Sequence, residues 1–400
     1  MKLLRIVADG LPLFRGKLDI CLYARQRVSQ DQRDSLYPLL PAVFLNTTNV
    51  FAGINASGKT STMKVILFVL NLLSGKPVNA ASGREILGRA GSVAFQTVFY
   101  SEKTDEICKL ETVVSFSNTD HEGQPVYIIA AEKLWCRKAG GVTARRRLLD
   151  FGQSGPALVR GDPEKREQFT FLADDVSIII SRINTSGDVP HVFDTMALTN
   201  FNGLPFTGEI SQEIIAYLDP SVEYLIFQKD NRRNVRLKFR DQDALELSDP
   251  LELTRYLSSG TIKGIWIFSF ALRAFEKGGY LLVDELENHF NKEIVCAIIR
   301  LFKSHRFNQN GGTLIYSTHY PELLDENERN DNIFITGNHG GITVENLSSI
   351  LKRNDLKKSD VYQSGVLTQT APAYDSYIAL ERKFASAIAL SQEASREEET

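Results

Sequence analysis

A glycine-rich segment of this sequence has the residue types and spacing needed to bind phosphate. It runs from Gly53 to Thr60 and fits the pattern GxxxxGK[ST]. In this pattern the glycines let backbone N–H groups curl around phosphates, the lysine reaches the β- and γ-phosphates, and the hydroxyl residue ligates magnesium. We therefore expect a nucleoside triphosphate site in which Lys59 contacts phosphate and Thr60 ligates Mg²⁺. The other residues expected to contact the nucleotide are Gly53, Asn55, Ala56, Ser57, Gly58 and Ser61.

Two adjacent carboxylates, Asp284 and Glu285, directly follow the apolar run Tyr280–Val283. Ligands of open α/β sheets bind at the carboxyl ends of the strands, which is where this pair would stand. We expect Asp284 to hold magnesium through water and Glu285 to orient and polarise the attacking water. Taken alone, the pair could also be an exposed acidic strand end, but its company with Lys59 disfavours that alternative.

Two further segments could complete such a site. Ser258 and Gly260 precede an apolar helical pattern, where they would form an ordinary helix start, and a helix amino terminus also binds phosphate. His319 follows an apolar strand pattern that begins at Thr313, one strand–helix–strand unit after Glu285. Adjacent parallel strands would bring Glu285 and His319 to the same edge of a sheet.

The elements that would position these residues alternate between strand and helix. Asn49–Ala52 predicts a short strand before the glycine segment, and Met63–Leu73 predicts a buried helix after it. A second helix is predicted over Thr261–Lys277, followed by strands at Tyr280–Val283 and Thr313–Ser317 with a helix between them. Strand, helix and strand joined by short links form a parallel crossover. These elements predict an α/β fold.

Other regions show different patterns. Ser92–Trp135 contains strand-like stretches with partial period-two alternation, which predicts antiparallel strands. Residues 137–250 carry scattered glycines and prolines without a heptad repeat, and we interpret most of them as an inserted subdomain. This segment ends in Val235–Arg240, whose strict alternation gives one apolar and one cationic strand face.

The composition is that of a folded globular protein. Of the 400 residues, 43% are hydrophobic and 24% are charged, which excludes a mainly disordered or coiled-coil chain. The net charge of −3 excludes a global basic field for nucleic acid, so any such contact would be local.

The cysteines and the apolar runs bear on the compartment. The four cysteines are far apart and form no CxxC pair, so we expect reduced core thiols rather than disulfides or a zinc site. They are Cys21, Cys108, Cys136 and Cys296. No run approaches the ~20 apolar residues that span a bilayer, and Met1–Gly10 lacks a long apolar stretch. We expect a cytoplasmic protein without membrane contact.

Four segments, in chain order, resemble the motifs of an ABC-type ATPase head: Walker A at Gly53–Thr60, the signature at Leu257–Thr261, Walker B at Leu282–Glu285 and the switch histidine in Ser317–His319. The LSSGT signature, the DELEN run and STHYPELLD are similar to those of bacterial AAA-labelled ATPases related to the OLD, RecF and SMC proteins. Many such relatives serve anti-phage or abortive-infection systems. The resemblance covers about 1–135 and 235–365, whereas 137–234 carries no motif that matches it.

The resemblance implies a P-loop NTPase head with a mixed sheet and helices, an antiparallel β subdomain, an inserted subdomain and no long coiled coil. The implied division places an N-terminal lobe with Walker A at 1–136 and the inserted subdomain at 137–234. A C-terminal lobe with the signature, Walker B and the switch histidine follows at 235–365, and a C-terminal helix with an acidic tail at 366–400.

The resemblance also implies roles for individual residues. Lys59 and Thr60 would bind ATP and Mg²⁺, with Asp284 supporting the metal. Glu285 would be the catalytic base, and His319 would sense the γ-phosphate. Ser258 and Gly260 would contact nucleotide bound to a second copy, so that ATP links at least a homodimer. The family also uses a glutamine in the N-terminal lobe, for which Gln96 is the candidate and a plain strand is the alternative.

The leading functional hypothesis is a Mg²⁺-dependent ATPase that dimerises on ATP and regulates a separately encoded effector protein in anti-phage defence. A nuclease within this chain is not expected, because no DxD pair follows His319. The alternative is a RecF-like ATPase of DNA repair or maintenance, with Arg145–Arg147 and the cationic face of Val235–Arg240 on DNA phosphates. Given the slightly negative net charge, a solvated surface is the favoured interpretation of both basic segments. A scaffold that binds ATP without useful hydrolysis is a third possibility, which Glu285 disfavours.

Overall fold

The computed structural model describes residues 1–89, 91–152, 155–161, 172–199, 203–204, 210–227, 234–364, 367 and 374–398. These residues form two large β-sheets with helices packed between and outside them. The predicted α/β fold with a mixed sheet and an antiparallel β sheet is confirmed, and the residues described above form no long coiled coil. Within the described ranges, every helix is too short or too polar to cross a membrane.

The first sheet is mostly parallel and carries the predicted site at one edge. Its strands are β5 (Thr48–Ala52), β10 (Val192–Asp194), β14 (Tyr280–Val283), β15 (Thr313–Thr318), β16 (Ile333–Asn338) and β17 (Ile342–Asn346). Their spatial order is β10-β14-β15-β5-β16-β17, and only β16 and β17 pair antiparallel. Because β15 lies between β14 and β5, the carboxyl ends of these three strands meet at one edge.

The second sheet is antiparallel throughout. It consists of β1 (Lys2–Asp9), β2 (Leu18–Cys21), β6 (Ser92–Ser101), β7 (Glu106–Thr119), β8 (Pro125–Lys138) and β9 (Leu158–Val159), in the order β2-β1-β6-β7-β8-β9. Two small sheets complete the strands. One pairs β3 (Leu36–Leu40) with β4 (Val43–Asn46), and the other joins β11 (Val222–Phe227), β12 (Val235–Phe239) and β13 (Leu245–Leu247).

The helices flank these sheets. They are α1 (Lys59–Leu73), α2 (Ala81–Arg84), α3 (Ile179–Ser186), α4 (Gln212–Leu218), α5 (Ser259–Lys277), α6 (Lys292–Lys303), α7 (Leu347–Ile350), α8 (Lys358–Gln363) and α9 (Tyr374–Glu398). Helix α1 is apolar on nearly every face because it lies between the two large sheets. Helices α5 and α6 cover the other face of the parallel sheet, where Trp266 and Ile299 are fully buried.

The described part of 137–234 contributes to both large sheets. Strand β9 extends the antiparallel sheet beside β8, and β10 forms the edge of the parallel sheet beside β14. Strand β8 itself continues to Lys138, past the expected boundary at residue 136. The division of the chain into lobes and an inserted subdomain stays a prediction.

The expectation of four reduced cysteines is wrong. Cys108 and Cys136 are joined as a disulfide, because antiparallel β7 and β8 place them directly opposite each other with Cα atoms 4.2 Å apart. Only Cys21 and Cys296 are free and buried. At the end of the chain, α9 runs from Tyr374 to Glu398, where Ala, Glu, Gln and Arg residues favour helix. Residues 399–400 lie outside the described ranges.

Candidate nucleotide-binding site

The loop between β5 and α1 forms a cradle that only glycine can complete at two positions. A Cβ on Gly53 would lie 2.4 Å from both Ser57 Oγ and Thr336 Oγ1, whose hydroxyls bond each other at 2.7 Å. Gly58 has φ +100°, and a Cβ there would lie 2.5 Å from the side chain of Ile342. The loop backbone is therefore wrapped tightly between α1 and the β16–β17 hairpin.

Lys59 opens α1 and turns its side chain back into the cradle. Its ammonium donates to the carbonyl oxygens of Gly53 at 2.9 Å and Ile54 at 3.0 Å. Burial lowers the pKa of Lys59, and the nearby Asp284 and Glu285 carboxylates partly oppose that shift. A triphosphate is the kind of anion that such a buried, carbonyl-bound ammonium is suited to receive.

The two predicted magnesium residues lie in contact. Thr60 Oγ1 donates to Asp284 Oδ2 at 2.7 Å, although 224 positions separate the two residues in the sequence. Ser317, at the end of β15, donates its hydroxyl to Asp284 Oδ1 and accepts from the backbone N–H of Glu285 at 2.7 Å. Ser317 thus fixes both carboxylate residues from the neighbouring strand.

Glu285, His319 and Lys59 form one line of hydrogen bonds. Nδ1 of His319 lies 3.1 Å from the Lys59 ammonium, and Nε2 lies 3.2 Å from Glu285 Oε1. Because an ammonium can only donate, Nδ1 must accept and Nε2 must carry the hydrogen that Glu285 receives. The backbone N–H of His319 also donates to Glu287 Oε1 at 2.6 Å, which fixes the histidine at the strand end.

These side chains border one cavity of about 760 Å³. It is lined by Asn55, Ala56, Ser57, Gly58, Lys59, Thr60, Ser61, Glu285 and His319 from the predicted set, and by Pro12, Leu13, Asn338, Gly340, Gly341 and Ile342. That volume lies within the usual range for small-molecule sites, about 300–1,000 Å³. The cavity has room for a nucleotide along the cradle.

The donor set fits magnesium carried by a triphosphate. Among the described residues, no group of three or more His, Cys, Asp and Glu side chains could hold a metal ion alone. Mg²⁺ in nucleotide sites keeps several waters and takes only one or two protein ligands beside phosphate oxygens. Thr60, which lines the cavity, and Asp284, which accepts its hydroxyl hydrogen bond, supply a hydroxyl and a carboxylate of that kind.

The predicted signature residues do not line this cavity. Ser258 caps α5, where its Oγ accepts from the backbone N–H of Thr261 at 3.0 Å. Gly260 follows in the first turn, pressed against the carbonyl of His289. The structure also keeps Gln96 out of the cavity lining, because it lies within β6 and donates to Glu111 on β7. Gln96 therefore lies in a plain strand, as the alternative interpretation of this region had it.

Sequence reasoning gave no separate role to several residues that shape the site. Ser317 lies in the Ser317–His319 segment, but its hydrogen bonds to Asp284 and Glu285 depend on the order of the strands in the sheet. Thr336 and Asn338 come from β16, and Asn338 donates to the carbonyl of Ala56 at 3.2 Å. Lys263 is 3% exposed on α5 and donates to the carbonyl of Asn288 at 3.0 Å. For Lys263, the available sequence signal was a lysine on the apolar face of a predicted helix.

The strand, glycine cradle and buried helix on a parallel sheet define a P-loop NTPase fold. Residues 145–325 match the family model described as "AAA domain, putative AbiEii toxin, Type IV TA system". The match confirms the resemblance to AAA-labelled ATPases in an abortive-infection or toxin–antitoxin context. It spans a little under half of the chain, including most of the segment left without a motif, and ends before β16. No curated protein matches this chain.

Proposed function

We propose that this chain is a Mg²⁺-dependent ATPase whose site is the cavity between the glycine cradle and the ends of β14 and β15. One observation supports this most strongly: Lys59, His319 and Glu285 are hydrogen-bonded in series beside the contact between Thr60 and Asp284. The AAA-domain match supports a nucleotide-dependent role in general terms.

In the proposed reaction each group has a task that follows from its position. Lys59 and the loop N–H groups bind the phosphates, and Thr60 and Asp284 hold magnesium. When bound, magnesium neutralises charge that develops on the transferred phosphoryl group. Glu285 accepts the proton of the attacking water. His319 orients the Glu285 carboxylate through Nε2 and responds to phosphate beside Lys59 through Nδ1.

We further propose that two copies complete the site. Ser258 and Gly260 lie outside the cavity of their own chain, at the amino end of the 19-residue helix α5, whose first N–H groups favour anions. A facing copy would direct this helix end at the γ-phosphate, so ATP would join the two copies. The abortive-infection context of the family supports a separately encoded effector as the partner that this ATP-linked state regulates.

Mass in solution and phosphate release together test the proposal. Wild type should shift from monomer to dimer with ATP and Mg²⁺ and return as ATP is consumed. Glu285→Gln should lower turnover by about 10²-fold or more, the usual contribution of a general base, and keep the dimer. Lys59→Ala should neither bind ATP nor dimerise. Glu293→Gln, which changes an exposed carboxylate on α6, should behave as wild type.

Two results would overturn parts of the proposal separately. Undiminished hydrolysis in Glu285→Gln would remove Glu285 as the base. An unchanged mass with ATP, in both wild type and Glu285→Gln, would remove the second copy and leave a single-chain ATPase. The effector is tested by purifying the protein from its host together with the product of the adjacent gene, with and without ATP. A chain that never associates with that product would contradict the regulatory role.

A further inference from the structure

A second cavity, which we name the arginine cavity, lies away from the nucleotide site. It has a volume of about 560 Å³ and is lined by Arg27, Arg145 and Arg146 together with Tyr23 and Phe44. It shares no lining residue with the nucleotide cavity. Two of its arginines belong to the basic segment 145–147 that the sequence singled out and that the proposed ATPase does not use.

The backbone that carries Arg27 is fixed from two sides. Arg145 Nη1 donates to the carbonyl oxygens of Ala24 at 3.1 Å and Gln26 at 2.9 Å. From the protein interior, Arg329 donates to the carbonyls of Gln26 and Arg27 at 3.1 and 3.2 Å. Arg329 is itself 2% exposed and ion-paired with a buried aspartate. The cavity wall is therefore preorganised, which lowers the entropic cost of binding a ligand.

The positive charge of this wall has no carboxylate partner in the described part of the chain. No carboxylate there lies within ion-pair distance of Arg27, Arg145 or Arg146, and the cavity lining holds no Asp or Glu. The other basic segment differs, since Arg236 is paired with Glu246 and Lys238 with Glu223. Two cations of that segment are therefore already neutralised by carboxylates, whereas no ion pair neutralises the arginines at the arginine cavity among the described residues.

The lining chemistry favours a phosphorylated ligand. Guanidinium groups present planar forks that match phosphate oxygens, and three of them around one space suit an anion with more than a single charge. Tyr23 and Phe44 add apolar walls, and the volume is that of a nucleotide-sized molecule. We propose that the arginine cavity binds a nucleotide-sized phosphorylated ligand, either a free nucleotide or a nucleotide unit of a single nucleic-acid strand.

Fluorescence anisotropy on the full chain tests this site with two probes, a labelled twelve-nucleotide oligothymidylate and labelled adenosine monophosphate. All proteins carry Lys59→Ala and are measured without magnesium, so the proposed ATP site does not contribute. The test variant is Arg27→Gln with Arg146→Gln, because these side chains make no described hydrogen bond. The control is Arg255→Gln with Arg306→Gln, which removes the same charge from exposed positions elsewhere.

We expect the test variant to bind at least about 10-fold more weakly than its parent, and the control to stay within about two-fold. For the oligonucleotide, the slope of log affinity against log salt should flatten by about 1.4, or ~0.7 for each lost phosphate contact. Oligonucleotide binding assigns the strand, and binding of the monophosphate alone assigns the free nucleotide. The proposal is overturned if neither probe binds at low salt, or if the test variant binds as its parent or loses no more than the control.

Discussion

The carbonyl oxygen of His289 lies so close to Gly260 that a Cβ on residue 260 would stand only 2.5 Å from it. This contact joins the first turn of α5 to the turn that follows Asp284 and Glu285. Within that turn both Glu285 and His289 have positive φ, 49° and 72°. The proposed signature glycine therefore has a structural requirement in its own chain, independent of any second copy.

We expect Gly260→Ala to lower the free energy of unfolding by about 1–3 kcal/mol, the usual cost of an overpacked position. Without the contact, alanine in a helix would instead stabilise by up to ~1 kcal/mol relative to glycine. Urea denaturation measures the difference. Gly140→Ala is the matched control, because a Cβ there meets nothing within 4 Å. Equal stability of Gly260→Ala and wild type would contradict the contact.

Ser317→Ala tests whether the hydrogen bonds that position Asp284 and Glu285 matter, because the variant removes these bonds and leaves both carboxylates in place. Ser317 is fully buried, and its loss leaves the N–H of Glu285 without its partner. We expect about 1–3 kcal/mol less stability, the cost of an unsatisfied buried donor, and turnover at least about 10-fold lower. Ser269→Ala serves as control, since Ser269 only bonds a carbonyl one helical turn back. If the stability and the turnover of Ser317→Ala equal those of Ser269→Ala, Ser317 does not support the two carboxylates.

Lys263 stabilises the turn that contains Glu285 and His289. Its ammonium reaches the carbonyl oxygens of Asn288 at 3.0 Å and Glu285 at 3.4 Å. Lys263→Met should lower kcat several-fold while the affinity for ATP stays unchanged, because the turn carries Glu285 and not the phosphate cradle. Lys263→Arg, which keeps the charge and the donors, should recover part of kcat. A loss of ATP affinity equal to the loss of kcat would show general unfolding instead.

Stability should depend on pH through Lys2, which is buried away from the nucleotide cavity. Burial lowers the pKa of Lys2 from 10.5 to about 8, although its ammonium donates to the carbonyl of Gly278. Between those pH values the unfolded chain binds a proton that the folded chain has released. The free energy of unfolding should therefore rise with pH across this window, by roughly 3 kcal/mol.

The measurement is urea denaturation near pH 8 and near pH 10.5 for wild type and Lys2→Met. Groups other than Lys2 titrate alike in both proteins, so the difference between the two isolates the lysine. Lys17→Met, which changes an exposed lysine, should keep the pH dependence of wild type. A Lys2→Met variant that retains the full rise would show that Lys2 titrates normally in the folded state.

The convergence of Lys59, Asp284, Glu285 and His319 was predictable because each ends or follows a short apolar strand. Parallel strands place their carboxyl ends at one edge, so local patterns were enough to expect a common site. The predicted strand bounds agree with the structure where glycine or charged residues border the apolar run, as at Tyr280–Val283. The proposed chemical roles of these residues remain predictions.

Other features depended on pairings that no local pattern encodes. The link from Ser317 to both carboxylates requires β15 to lie beside β14. The Cys108–Cys136 disulfide requires the register of β7 and β8. Gln96 was a candidate for the family's glutamine only because of its residue type and region, and the register of its strand places it beside Glu111. In each case, contacts between distant parts of the chain set the outcome.

Strand β5 sits between β15 and β16, although most of the chain separates it from both. During synthesis, Val50 and Phe51 would therefore leave the ribosome long before the neighbours that bury them. Non-local pairing of this kind slows folding, and apolar surface that waits for its partners is prone to aggregate. Newly made copies should need chaperone protection until β16 has emerged, so the supply of active protein would follow the folding capacity of its host.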